Sequence, residues 1–152
     1  MKKATLLMGF VLLGIAAHAQ VLKSTTWSFS SMPVKGKPGL YELHLTATIK
    51  DGWTTYSQWT PAGGPEPTVI SFDKNSNMLL GGKAKEIGTM KKKHEEVFGV
   101  DVHYFEKKVD FVQLVKVKND KGNKVISGKV KYMTCDKEQC INDEVEFSIP
   151  IK

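Results

Sequence analysis

Apolar and polar residues alternate along several segments of the chain, and this period of two constrains its fold more than any other feature. The positions that share the apolar face are Leu43, Leu45, Ala47 and Ile49; Val109, Phe111, Val115 and Val117; Ile126, Gly128, Val130 and Tyr132; and Val145, Phe147, Ile149 and Ile151. Because successive side chains of a β-strand point to opposite faces, each segment predicts a strand with one face in a core and the other in water.

Turn sequences separate these segments. The residues Lys50 to Gly52 precede an aromatic and threonine-rich run, which predicts a hairpin with the strand before it, and Asn119 to Asn123 form a second turn cluster. Only the stretch from Met78 to Glu96 suits a short helix. About eight short strands predict an all-β, immunoglobulin-like β-sandwich, with a closed barrel as the alternative.

The N-terminus has the pattern of an export signal. Lys2 and Lys3 precede an uncharged apolar run that ends in Ala17-His18-Ala19, a small-x-small cleavage site. We therefore expect a signal peptide over residues 1–19 and a single domain over residues 20–152. No later apolar stretch approaches the roughly 18 residues of a membrane helix, so we expect no membrane insertion after processing.

The positive charge carries little functional information. The formal net charge is +6, but the chain contains no arginine, the residue that forks onto phosphate and guanine. We therefore expect no nucleic-acid partner. His94 and His103 are not spaced like zinc ligands, and we expect neither a metal nor a bound cofactor.

The two cysteines, Cys135 and Cys140, enclose four polar residues between strand patterns. In an exported protein this arrangement predicts a disulfide across the ends of a hairpin loop. Closing so short a loop stabilises the fold by only about 2 kcal/mol. The residues alone leave two alternatives open, an inert staple or a redox pair.

Acidic residues crowd this motif in the sequence. The motif and the residues after it contain four carboxylates and only one lysine, Lys137; the carboxylates belong to Asp136, Glu138, Asp143 and Glu144. Nearby anions disfavour the thiolate form of a cysteine. We therefore expect each cysteine thiol to have an ordinary or raised pKa, so that the pair reacts chiefly as a disulfide attacked by a partner's thiolate.

Three motifs follow one another along the chain: the segment Ile49 to Tyr56, the acidic-aromatic-glycine segment His94 to Gly99, and Tyr132-Met133-Thr134-Cys135 with Cys140. Together they resemble the N-terminal domain of DsbD, the thiol-disulfide interchange protein of the bacterial cell envelope, and the segment His94 to Gly99 matches that family's cap loop. The resemblance implies an immunoglobulin-like sandwich in which a cap loop shields an exposed cysteine pair until a partner docks.

The resemblance also implies residue roles and partners. Cys135 and Cys140 would be the exchanging pair, and the residues lining their site would be Tyr56, Glu95, Glu96, Val97, Phe98 and Tyr132. Electrons would pass to or from thioredoxin-like envelope proteins in the periplasm. Because the sequence lacks the family's membrane conduit and terminal thioredoxin-like domain, we expect a membrane electron donor on a separate chain.

A second hypothesis stays open beside this thiol-disulfide oxidoreductase. The alternative is a non-catalytic, secreted β-sandwich interaction module whose disulfide is structural. The two hypotheses predict different reduction potentials, since structural disulfides lie below about −300 mV.

Overall fold

The computed structural model describes residues 23–96 and 98–152, and the predicted signal peptide lies outside them. The described residues form ten β-strands: β1 Thr25–Pro33, β2 Leu40–Ile49, β3 Thr54–Tyr56, β4 Val69–Phe72, β5 Met78–Ile87, β6 Lys91–Glu95, β7 Val100–Phe105, β8 Lys108–Val117, β9 Val125–Cys135 and β10 Cys140–Pro150. Within these two ranges, no helix is long and apolar enough to span a membrane.

The strands form two antiparallel sheets. The first has the order β1-β2-β8-β5, and the second has the order β10-β9-β3-β7-β6, with β4 also paired to β9. The fold is therefore an immunoglobulin-like β-sandwich, which confirms the predicted fold class with ten strands where about eight were expected.

The core lies between the two sheets and is built from the alternating positions. The first sheet contributes Leu43, Leu45, Phe111 and Val115, and the second contributes Ile126, Val130, Phe147 and Ile149, all of them buried. Since residues two apart share a face, the alternation seen in the sequence correctly places these side chains inside.

The predicted hairpin around Lys50 to Gly52 is wrong. The strand β2 pairs with β1 along one edge and with β8 along the other, so neither edge is free for β3. The chain instead crosses to the second sheet, where β3 pairs with β7 and β9. The turn at Gly52, with φ +84°, thus changes sheets.

The predicted helix between Met78 and Glu96 is also wrong, because the described residues there form β5 and β6. The strand β5 pairs with β8 in two parts, and its register shifts between Gly81 and Lys85. The buried Gln113 fills this irregularity, since its Nε2 donates to the carbonyl oxygens of Gly81 and Gly82 at 3.3 and 3.2 Å. Pairing with β8 thus decides the conformation of a stretch whose local signals are weak.

Candidate functional site

The two cysteines close the end of the β9–β10 hairpin. Cys135 is the last residue of β9, Cys140 is the first of β10, and the two are directly paired with Cα atoms 4.1 Å apart and joined by a disulfide. The carboxylate of Asp136 folds back over the loop and accepts the backbone N–H groups of Glu138 and Gln139, both at 2.8 Å. These hydrogen bonds lower the pKa of Asp136.

The two halves of the disulfide differ in exposure. Cys135 is buried, with 5% of its surface exposed, whereas Cys140 is exposed. Cys135 lies on the outer face of the second sheet, in a small cluster apart from the main core. The members of this outer-face cluster are Tyr56, Val102 and Cys135, with Val100, Tyr104 and Met133 packed against them. A partner approaching from solvent therefore meets Cys140 first.

The disulfide opens into a cleft of about 450 Å³. Its walls come from the β2–β3 turn, from β3 and from the β6–β7 hairpin. The lining residues are Lys50, Asp51, Gly52, Trp53, Thr54, Tyr56, Lys93, Glu95, Phe98, Tyr104, Glu106, Lys107, Asp136 and Lys137, together with both cysteines. Such a volume suits a protruding loop or side chain of a partner.

Aromatic side chains form one wall of the cleft. Tyr56 and Tyr104 are paired across β3 and β7, and Lys93 Nζ lies 5.6 Å from the centre of the Tyr104 ring. Burial raises the pKa of Tyr56, so its hydroxyl stays protonated at neutral pH. At Thr54, the hydroxyl donates to the carbonyl oxygen of Cys135 at 3.2 Å and ties that cysteine to β3.

The charges of the cleft differ from those of the sequence motif. Four lysines and four carboxylates line it, and Lys93 pairs with Glu95 at 2.7 Å. Of the acidic residues counted near the cysteines, Asp143 accepts the Tyr132 hydroxyl and Glu144 pairs with lysines along the strands. The acidic excess expected around the pair is thus absent from the cleft, because lysines distant in sequence fold into it.

The turn between β6 and β7, residues 96–99, lies at the rim of the cleft. We call this turn the cap loop. The backbone N–H groups of Phe98 and Gly99 donate to the Glu95 carbonyl at 3.0 and 2.8 Å, and Gly99 has φ +64°. The side chain of Phe98 is 49% exposed. An apolar ring is thus held at the solvent boundary of the disulfide site.

Three of the predicted lining residues, Tyr56, Glu95 and Phe98, lie in the cleft with both cysteines. Glu96 is exposed in the cap loop and does not line the cleft, and Val97 lies outside the described residues.

Tyr132 does not line the cleft either. It is three residues from Cys135, so its side chain points to the opposite face of β9, where it packs 5.3 Å from Trp27 between ring centres. Its hydroxyl donates to Asp143 at 2.8 Å, and burial raises its pKa.

Sequence reasoning missed several residues around the disulfide. Met133 packs in the outer-face cluster, on the face of Cys135, a relation that the period of two already implies. Tyr104 lines the cleft, and it follows two valines at the same spacing, Val100 and Val102, which marks a shared face. Lys93 and Lys107 carry no comparable signal, since the place of Lys93 depends on how β6 and β7 pair and that of Lys107 on the turn between β7 and β8.

Comparisons with known proteins agree with this geometry. The family model described as "Thiol:disulfide interchange protein DsbD, N-terminal" matches residues 19–151. No curated protein sequence matches the chain.

Two solved structures are similar. The N-terminal periplasmic domain of ScsB from Proteus mirabilis has 16% identity and a TM-score of 0.55, over 84% of this chain and 45% of that one. The chain thus spans less than half of that relative's length. The reduced N-terminal domain of DsbD from Neisseria meningitidis has 18% identity and a TM-score of 0.49, over 71% of this chain and 75% of that one. Since the family model covers nearly the whole sequence, the chain belongs to the family of the N-terminal domain of the thiol:disulfide interchange protein DsbD.

Proposed function

We propose that this chain carries electrons by exchanging its Cys135–Cys140 disulfide with thioredoxin-like partners in the periplasm. Membership of the DsbD N-terminal family, together with the disulfide, supports thiol-disulfide exchange in general. The periplasmic location draws support from the ScsB relative, which is described as a periplasmic domain. The observation that carries the proposal is the unequal exposure of the disulfide, with Cys140 exposed at an open cleft and Cys135 buried.

In the proposed reaction, a partner thiolate attacks Sγ of Cys140. A bond forms between the partner sulfur and Cys140, and the Cys135–Cys140 bond breaks with its electron pair passing to Cys135, which takes a proton from water. The partner's second thiolate then attacks the partner's own sulfur and releases Cys140, which also takes a proton. Two electrons and two protons have moved to this chain, and the partner leaves as a disulfide. The reverse sequence reduces an oxidised partner.

The surroundings of Cys135 suit a leaving group that must stay in place between the two steps. Its side chain packs against Tyr56 and Val102, and its backbone carbonyl accepts the Thr54 hydroxyl. In the reverse sequence, a cysteine held in this way is in place to attack Cys140, re-form the disulfide and release the reduced partner. In this proposal Phe98 and Glu95 act as the cap, with the Phe98 ring limiting access to the disulfide and the Glu95 carbonyl fixing the turn that carries it.

The reduction potential tests the function. We expect the disulfide to equilibrate with thioredoxin in a dithiothreitol redox buffer, which places its potential above the −300 mV or so that marks structural disulfides. A potential well below that value would favour the interaction module with a structural disulfide.

A matched pair of variants tests which sulfur is attacked. Cys135→Ser and Cys140→Ser each leave a single cysteine. It is converted to its thionitrobenzoate mixed disulfide with dithiobis(nitrobenzoate) and mixed with a thioredoxin that lacks its second active-site cysteine. We expect the Cys135→Ser protein, which bears Cys140, to form the mixed disulfide many-fold faster, because Cys140 is exposed. Equal rates, or a faster Cys140→Ser protein, would contradict the assignment.

A further inference from the structure

The loop between β3 and β4 folds across the outer face of the second sheet. Two buried threonines anchor its ends, since Thr60 Oγ1 donates to the His103 carbonyl at 2.7 Å and Thr68 Oγ1 donates to the Tyr56 carbonyl at 2.6 Å. Pro65, in the middle of the loop, is buried. This proline-glycine loop, residues 61–67, therefore has a fixed position beside the outer-face cluster that contains Cys135.

Gly64 marks the closest approach of this loop to the cap hairpin. A Cβ atom on Gly64 would lie 2.8 Å from Val100 Cγ2, 3.6 Å from Val102 Cγ1 and 4.0 Å from Phe98 Cβ. The backbone of Gly64 does not adopt a positive φ, so any residue could take its conformation. The constraint at this position is therefore one of space, set by Val100.

Val100 connects this contact to the cap loop. It is the first residue of β7, and it pairs with Glu95, the last residue of β6. The two form the last strand pair before the turn that carries Phe98, and the Glu95 carbonyl holds that turn through the N–H groups of Phe98 and Gly99. A displacement of Val100 would therefore move the base of the cap loop and its aromatic ring together.

We propose that Gly64 is a positioning residue for thiol-disulfide exchange. Because Gly64 has no side chain, the backbone of the proline-glycine loop can pack directly against the Val100 side chain. This packing keeps Phe98 at the rim of the disulfide cleft. The inference rests on the proposed function, because a shield matters only where the disulfide reacts. It adds a second loop, far from the cysteines in sequence, to the elements that control access to them.

The substitution Gly64→Ala tests the proposal. We expect the second-order rate constant for reduction of the oxidised protein by dithiothreitol to rise several-fold, because the new methyl group displaces Val100 and the cap loop. The control is Gly81→Ala, which places a methyl 3.2 Å from Leu114 Cβ in the first sheet, away from the cleft. Gly81→Ala should leave the rate constant unchanged, and urea unfolding of both variants should confirm that they are folded.

A double variant, Gly64→Ala with Phe98→Ala, distinguishes positioning of the Phe98 ring from a general loosening of the fold. Phe98→Ala alone should raise the rate constant, and Gly64→Ala should add nothing to it, since both act through the same ring. In the Gly64→Ala protein, the further change Val100→Ala removes the clashing methyl and should return the rate constant toward that of the unaltered protein.

The outcomes distinguish this inference from the proposed function. A rate constant that rises with Phe98→Ala but not with Gly64→Ala would overturn the role of Gly64 and leave the exchange function intact. Independent, multiplying effects of the two substitutions would overturn it as well. A reduction potential well below about −300 mV would instead remove the proposed function itself.

Discussion

Two hairpins meet at the disulfide cleft, and they are held in opposite ways. The β9–β10 hairpin pairs eleven residues on each strand and carries the cysteines at its tip. The β6–β7 hairpin pairs five residues and carries the cap loop. On β9 and β10, one face is buried in the main core through Ile126, Val130, Phe147 and Ile149. The strand β6 is an edge strand with no fully buried residue.

Polar pairs take the place of apolar burial on β6, whereas its partner β7 is anchored by the buried Val102 and Phe105. Lys91 pairs with Glu106 at 2.6 Å and Lys93 with Glu95 at 2.7 Å, and His94 Nδ1 forms a hydrogen bond with Asp101 Oδ1 at 2.8 Å. Exposed ion pairs contribute little to stability and weaken with salt. Its lysines also discourage another chain from pairing with this edge.

This difference in burial should make the β9–β10 hairpin more rigid than the cap loop, although both belong to one site. The cysteines lie at the tip of a hairpin whose strands are buried on one face in the main core, whereas the cap loop follows an exposed edge strand. Local opening free energies in a protein range from near zero up to the global stability, and weakly buried hairpins lie at the low end. In the proposed function, the cap loop would therefore move aside without disturbing the cysteine pair.

The largest expected effect comes from the same substitution made in each hairpin. Phe147 is buried, with its ring centre 5.4 Å from that of Phe29 and 5.5 Å from that of Phe72. Phe147→Ala should lower the free energy of unfolding by about 3–5 kcal/mol, measured by urea denaturation of the oxidised protein. The rate constant for reduction by dithiothreitol under native conditions should stay unchanged.

Phe98→Ala is the counterpart and should give the reverse result. Because the ring is half exposed, the unfolding free energy should fall by about 1 kcal/mol or less, while reduction by dithiothreitol becomes faster. If the two substitutions had similar effects on stability, or if Phe147→Ala accelerated reduction as much as Phe98→Ala, the contrast between the hairpins would be wrong.

A smaller effect is expected at the ion pair of the cap loop. Lys93→Gln removes the partner of Glu95 and should change the free energy of unfolding by less than about 1 kcal/mol, because the pair is partly exposed. It should nevertheless accelerate reduction by dithiothreitol at low salt. In the unaltered protein, added salt should raise the same rate constant, and this salt effect should shrink in the variant.

Lys92→Gln is the matched control for this prediction. It removes the same charge from the neighbouring residue, which lies on the opposite face of β6. The control should keep both the rate constant and its salt dependence. A Lys92→Gln protein that behaved like Lys93→Gln would show that total charge, rather than the Lys93–Glu95 pair, governs access to the disulfide.

The contrast between the hairpins also explains what the sequence could predict. The strands of the β9–β10 hairpin alternate over their whole length, so their inward residues and the facing cysteines followed from a period of two. The same rule, applied strictly, places Tyr132 on the core face of β9 and Met133 on the face of Cys135. In these strands the alternation of apolar residues in the sequence and the alternation of buried side chains in the structure both follow from one face lying on the core.

The β6–β7 hairpin offered no such pattern. The run from Lys91 to Glu95 is charged or polar throughout, and its strand conformation comes from pairing with β7. The crossing of β3 to the second sheet was likewise hidden, since it depends on β1 and β8 occupying both edges of β2. The charge of the cleft could not be read from neighbours in sequence, because Lys93 enters it through the β6–β7 pairing and Lys107 through the turn between β7 and β8.

The smallest expected effect lies at the tip of the stable hairpin, where Asp136 accepts two backbone N–H groups. Its pKa is lower in the folded state than the value of about 3.9 for an unfolded chain. Between these two pKa values, the folded state therefore binds fewer protons than the unfolded state. The contribution of Asp136 to stability is present above pH 4 or so and lost as the pH falls through the folded pKa. Asp136→Asn keeps an acceptor oxygen that does not titrate.

The test is the difference in unfolding free energy between the unaltered and Asp136→Asn proteins, followed from about pH 5 downward, so that the other carboxyl groups cancel. The difference should be constant above pH 4 or so and shrink in more acidic solution. Glu138→Gln, which removes one carboxylate from the same exposed loop, is the matched control, since both N–H groups are accepted by Asp136. If this difference grew with acidity, the charged carboxylate would destabilise the loop. The disulfide alone would then hold residues 136–139 in their turn, and the tip of the β9–β10 hairpin would be as weakly stabilised as the cap loop beside it.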